Sequence, residues 1–277
     1  MSKLPGKRVL ACLDDSPAAD AVLATATNVA RAMGAELDVI SVVPPDGSAV
    51  RRSASMSPGG RASRSPTPRV VVGPVEATLV DELEQDDVVL GVLGSRALAA
   101  QPDLLGHVAR AVVTRSRRSL IVVPPGAEPL TGEGQRFLVP LDGRSRTSRA
   151  VAPVLAALIE PMGTIVPLHV FDDAHVPMFV SSPHDREVLA DEFAARHLGP
   201  VVSRTERPRL RLGAPVDEIL AAIRRDEADA VVVCWSQHLD GGRAAVIRGL
   251  LADGSVPVVL HPIDVARAGS EGRPGSV

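Results

Sequence analysis

The chain repeats itself, and this limits its fold more than any other feature. RVLACLDD, from Arg8 to Asp15, returns as RFLVPLDG from Arg136 to Gly143, so Asp14 aligns with Asp142. AMGAELDVISVV then aligns with PMGTIVPLHVF, Gly34 against Gly163. VGPVEATLVDEL aligns with LGAPVDEILAAI, Gly73 against Gly213. The spacing between copies widens between the second and third anchors, so one copy carries a segment the other lacks. A chain of 277 residues has room for two domains of ordinary size. The repeat sets a first domain over 1–126, a linker over 127–134, a second domain over 135–264 and a disordered tail over 265–277.

Both copies read in the same order. A short β-branched run ends in Asp (VLACLDD, FLVPLDG), as expected of a buried parallel strand. In the first copy Ser16 suits a helix N-cap and Pro17 the first helical position. Val22, Val29 and Met33 recur at helical spacing, and Gly34 supplies a left-handed residue to end the helix. Second strands (ELDVISVV, TIVPLHVF), third strands (RVVVG, RLRLG) and helices opened by Pro74 and Pro215 follow. Fourth strands (DVVLGVLG, DAVVVC), a helix and closing strands (SLIVVPP, VPVVLHP) complete each copy. Strands alternating with helices predict right-handed crossovers and a parallel, doubly wound sheet. The copies differ where the spacing widens. The second holds SPHDREVLADEFAARHLG, a helix with Ser182 as cap, Pro183 at its start and Gly199 past its end. The first holds a Ser/Arg/Pro/Gly stretch over 46–68 with no hydrophobic period, expected to be a flexible insert.

Composition excludes several functions. A net charge of −3 disfavours nucleic-acid and anionic-membrane partners, which select for a basic surplus. Aromatic residues are 2% of the chain, too few for base-stacking platforms. No apolar run reaches the ~18 residues of a membrane span. The two cysteines, Cys12 and Cys234, sit in apolar runs without a CxxC pattern, which reads as two buried thiols in a reducing compartment. The cytoplasm is therefore the expected location. No metal-ligand, nucleophile-elbow or P-loop motif occurs, so neither a metal nor an enzyme is expected.

The opening strand–Asp–Ser–Pro–helix pattern, MGAELDVISVV, and the fourth-strand GSR followed by a distal GH resemble the universal stress protein family. The resemblance runs over roughly nine-tenths of the chain, as two tandem copies. It implies an α/β fold of two Rossmann-like domains, each a five-stranded parallel sheet in the order 3-2-1-4-5 flanked by helices; the aperiodic stretch over 46–68 leaves the first without its second helix. It also implies self-association through the last strand, or an intramolecular pseudo-dimer in which the two closing strands serve each other. In nucleotide-binding members adenosine lies near the first-strand Asp and the end of the second strand. The phosphates lie on a Gly-x-x-Gly, nine-residue, Gly-Ser/Thr loop, where glycines allow close approach and a helix N-terminus offers free N–H groups. By resemblance the first-domain candidates for cofactor binding are Asp14, Val42, Gly94, Arg96, Ala97, Gly106, His107 and Val108.

The match is partial. Ala97 stands where the second glycine belongs, and His107 replaces Ser/Thr after Gly106. Asp14 either contacts nucleotide or caps the turn after its strand, and His107 faces either phosphate or a backbone carbonyl and solvent. Gly91 reads as a strand residue at a close approach. The second copy departs further. Cys234 stands at the first glycine, Trp235 follows it, and Ala244 and Ala245 replace the Gly-Ser/Thr pair. That site reads as degenerate or repurposed, with Trp235 plugging a pocket or packing in core or rim. Two functions follow from the resemblance. One is a cytoplasmic stress-response regulatory module that binds ATP in the first domain only. The alternative is an interaction or dimerisation scaffold of the same family that binds no nucleotide.

Overall fold

Strands β1 (Arg8–Cys12), β2 (Glu36–Val43), β3 (Arg69–Val72), β4 (Val88–Gly94) and β5 (Ser119–Val123) form from the apolar runs of the first copy. Those of the second copy give β6 (Gln135–Pro140), β7 (Gly163–Phe171), β8 (Arg209–Leu212), β9 (Ala230–Trp235) and β10 (Val258–Pro262). The helices are α1 (Ala19–Met33), α2 (Val75–Leu83), α3 (His107–Arg115), α4 (Ser145–Val154), α5 (Pro183–His197), α6 (Pro215–Arg225) and α7 (Ala244–Asp253). These come from a computed structural model that describes residues 4–45, 66–95, 105–171, 183–198, 205–238 and 244–263. Most of the insert expected over 46–68, residues 46–65, lies outside the described residues, as do the place of the missing second helix of the first domain and the tail over 265–277.

The sheet runs β3-β2-β1-β4-β5-β10-β9-β6-β7-β8. Each half has the expected order 3-2-1-4-5, with every pair inside a half parallel. The halves join by one antiparallel pair, β5 with β10, through Leu120↔Leu260, Ile121↔Val259 and Val122↔Val258. The closing strands thus complete each other inside one chain and make ten strands continuous. Ser119 Oγ and His261 Nδ1, 2.9 Å apart, bridge this seam. Gln237 Nε2 crosses it to donate to Ser116 O at 2.6 Å.

Period-two alternation splits the core into two layers. Leu10, Leu93, Val122, Leu138 and Val233 face the layer of α2, α3, α6 and α7. Val9, Val92, Ile121, Val139 and Val232 face that of α1 and α4. Both layers continue from one half into the other. Matching ion pairs tie the strands at the opposite end from the loops considered below. Arg8 pairs with Asp87 (2.7 Å) and Asp38, while Arg69 pairs with Asp38 (3.1 Å) and Glu82 (2.7 Å). In the second half Arg136 and Arg209 both reach Glu206 at 2.8 Å. The linker is anchored too. Leu130 is 1% exposed, and its backbone bonds to Thr25 Oγ1 and Asn28 Nδ2 of α1.

Two local expectations are corrected. The first helix begins at Ala19, with Ala18 rather than Ser16 at the N-cap, and Pro17 lies in the preceding turn. The Asp14 carboxylate accepts from Ser16 N–H at 3.1 Å, and this local turn displaces the helix start. The glycines Gly34 and Gly163 are not equivalent. Strand register pairs Arg8 with Glu36 and Arg136 with Thr164, which sets Gly163 one position beyond the counterpart of Gly34. Gly34 ends α1 at φ 62°. Gly163 opens β7, where an added Cβ would lie 1.9 Å from Gln135 O. α4 has no glycine stop: it carries Pro153 and passes into a π-helical turn over Leu155–Ile159.

Candidate functional site

The carboxyl ends of the strands, where doubly wound sheets bind ligands, carry the candidate residues of both halves. In the first half Asp14 follows β1 and closes its turn onto Ser16. Gly94 ends β4 against that turn, where an added Cβ would meet Ala18 Cβ at 3.1 Å and Ser16 Oγ at 3.4 Å. Asp14, Ser16 and Gly94 are therefore brought together. Ser95 is 1% exposed, and among the described residues neither its hydroxyl nor that of Ser16 has a hydrogen-bond partner. Ser95 was not among the sequence candidates, although its place directly after Gly94 could have flagged it.

Val42 sits in β2, and Val108 on the first turn of α3; both pack partly buried against the same core layer. Gly106 precedes α3 at φ +69°, a conformation that favours glycine, and α3 has no side-chain cap. His107 is exposed, with Nε2 4.0 Å from Glu76 on α2, so its side chain reaches toward the neighbouring helix start. Arg96 and Ala97 lie outside the described residues. Gly91 lies inside β4 as expected, and an added Cβ would meet Leu83 and Leu120 below 3.0 Å.

In the second half the equivalent place is open. A cavity of about 440 Å³ lies among the ends of β6, β7 and β9 and the starts of α4, α6 and α7. Trp235, 6% exposed, forms part of its wall rather than filling it. Leu168, Ile219, Val246 and Ile247 supply further apolar wall. Burial, and then the charge of Asp142, push the Cys234 thiol up to about 12, so it is a protonated, inert part of the lining. Burial likewise pushes Cys12 in the first half up to about 12.

The polar side of the cavity comes from α4 and β7. Asp142 accepts from Arg144 N–H at 3.0 Å, repeating the Asp14 turn, and its other oxygen lies 3.8 Å from Arg144 Nε. Arg144 is the N-cap of α4, Arg146 and Thr147 lie in its first turn, and no acidic residue is present there. His169 Nδ1 donates to Leu141 O at 2.7 Å. Its ring stacks on Phe193 of α5 at 4.8 Å and meets Phe171 edge-on at 4.4 Å. Phe193 in turn lies 4.6 Å from His197, whose Nδ1 is 3.3 Å from Ser148 Oγ. Burial first, then Arg196, holds His197 below the usual histidine range. His169 escaped sequence reasoning because no motif marks it; its place near the end of a strand was the available clue.

Among the described residues no group of His, Cys, Asp and Glu could hold a metal ion, and no helix is long and apolar enough to cross a membrane. Residues 6–124 match the model of the universal stress protein family. A universal stress protein from Archaeoglobus fulgidus DSM 4304 is similar over 95% of this chain and 98% of its own, with a TM-score of 0.61 and 17% identity. A putative universal stress protein from Pseudomonas aeruginosa UCBPP-PA14 is similar over 94% of this chain and 95% of its own, with a TM-score of 0.60 and 13% identity. At these identities the likeness is one of fold. A 1-deoxy-D-xylulose 5-phosphate reductoisomerase from Kitasatospora griseola is 32% identical over 112 residues, which are 40% of this chain and 28% of that protein. The chain therefore spans under a third of that relative.

Proposed function

Since residues 6–124 match the universal stress protein family, we propose that the chain is a non-enzymatic regulatory module of the stress response that binds ATP in its first half. One observation carries this reading: the buried hydroxyls of Ser16, which lies against Gly94, and of Ser95, which follows it, have no hydrogen-bond partner among the described residues. A buried hydroxyl without a partner costs about 1–3 kcal/mol, which a polar ligand at the strand ends would relieve. Asp14 then receives ribose hydroxyls, and Val42 borders the adenine. The start of α3, opened by Gly106 and without a side-chain cap, meets the phosphates through N–H groups and the helix dipole, with His107 and Val108 in its first turn. Arg96 offsets their charge. A cytoplasmic location belongs to the same reading, since both cysteines are free.

The test is to denature the purified protein, assay released adenine nucleotide, and titrate the emptied protein with ATP by calorimetry. One saturable site per chain, lost in Gly106→Trp, is the expected result. No released nucleotide and no heat at millimolar ATP would overturn it. The scaffold alternative draws on Val70 and Val72, 63% and 68% exposed on the outer strand β3. Such an edge invites pairing between copies. Light scattering decides this point, since a strictly monomeric chain that binds ATP leaves the scaffold without a role.

A further inference from the structure

We infer that the cavity of the second half is a binding site for a small carboxylate with an apolar, ring-bearing body. Its size lies in the range of about 300–1,000 Å³ usual for small-molecule pockets. Its chemistry differs from that of a phosphate cradle. Strand register sets Cys234 opposite Gly94 and Trp235 opposite Ser95, and Ala244 stands at the start of the last helix where the first half has Gly106. Side chains thus occupy the space that glycines would leave for phosphate oxygens. Trp235, Leu168, Ile219 and Ile247 make a wall that favours an apolar body and would strip water from a triphosphate without repayment.

One side of the cavity nevertheless calls for negative charge. The start of α4 has neither a side-chain cap nor an acidic residue, and two arginines stand on its positive pole. The acid nearby, Asp142, is engaged by Arg144 through both backbone and side chain. Arg146 has no ion-pair partner among the described residues, so one guanidinium is left over at the cavity mouth. Thr147, a residue 8% exposed, lines the same wall, and no hydrogen bond of its hydroxyl is made among the described residues. His169 adds a ring fixed through Nδ1, leaving Nε2 available to a ligand. A single carboxylate satisfies Arg146 and Thr147 while its body lies along Trp235. This site is separate from the nucleotide site proposed above, and each stands or falls alone.

The chain reports on this cavity by itself, because Trp235 is its one tryptophan and it has no tyrosine. The probes are 4-phenylbutanoate, its neutral amide 4-phenylbutanamide, and ATP, none of which absorbs at 295 nm, where tryptophan is excited. The expected result is a saturable change in Trp235 emission with 4-phenylbutanoate, one site per chain by calorimetry, and at least tenfold weaker binding of the amide. Arg146→Gln, an exposed substitution, should weaken the carboxylate about tenfold and leave the amide unchanged. Three outcomes overturn the inference. They are no saturable emission change at millimolar 4-phenylbutanoate, equal affinity for acid and amide, and an emission change driven by ATP at lower concentration than by the carboxylate.

Discussion

The same backbone positions carry Gly94, Ser95 and Gly106 in one half of the molecule and Cys234, Trp235 and Ala244 in the other. In the first half small residues leave two buried hydroxyls, of Ser16 and Ser95, without a hydrogen-bond partner among the described residues. In the second, larger apolar residues wall a cavity whose charged side is the start of α4. The sheet order is identical, so the fold sets where a ligand sits, and a few side chains set which chemistry it has. The duplication lets one copy change chemistry without giving up the other.

The largest effect that would break the comparison concerns the two glycines that look alike in sequence. Gly163→Ala should cost more than about 4 kcal/mol or prevent folding, because its Cβ would meet the backbone of β6. Gly34→Ala should cost only about 1–2 kcal/mol, the penalty of a left-handed alanine. Chemical denaturation of both variants checks this, and equal losses would mean the register is wrong. Next comes the seam. Gln237→Ala removes a donor to Ser116 O and should cost about 1–3 kcal/mol, read as a lower denaturation midpoint. An unchanged midpoint would show that this bond adds nothing to the seam.

The smallest effect is on pH dependence. Burial holds His261, at the seam, below the usual histidine range, so the folded chain resists its protonation. Stability is then complete above about pH 6.5, the unfolded value, and falls as the pH drops below it. His197 contributes with the same sign. His261→Asn should flatten the fall in melting temperature between pH 7 and 5, and a slope as steep as that of the unaltered chain would show that His261 does not cause it.

Much of the fold was legible because periodicity and repetition report backbone topology directly. The strand Glu36–Val43 and the left-handed stop at Gly34 both stand where the sequence sets them. Gly163 misled because glycine serves two ends, positive φ and close approach, and its identity does not say which. Ser16 misled because the side chain of Asp14 takes up the Ser16 N–H and closes a turn ahead of the helix. The anchoring of the linker hung on one residue, Leu130, among polar neighbours. The cavity was the hardest to read. Trp235 is bulky enough to suggest a plug, and whether it fills or walls a space depends on β7 and α4, which lie far from it in sequence.

On the chemistry described above, the two halves take different ligands at equivalent places. The most direct measurement is calorimetric titration of 4-phenylbutanoate into the full chain, once empty and once saturated with ATP. The expected result is the same stoichiometry and affinity in both titrations, with ATP filling one site of its own. Loss of 4-phenylbutanoate binding in the presence of ATP would contradict it, because both ligands would then share one site.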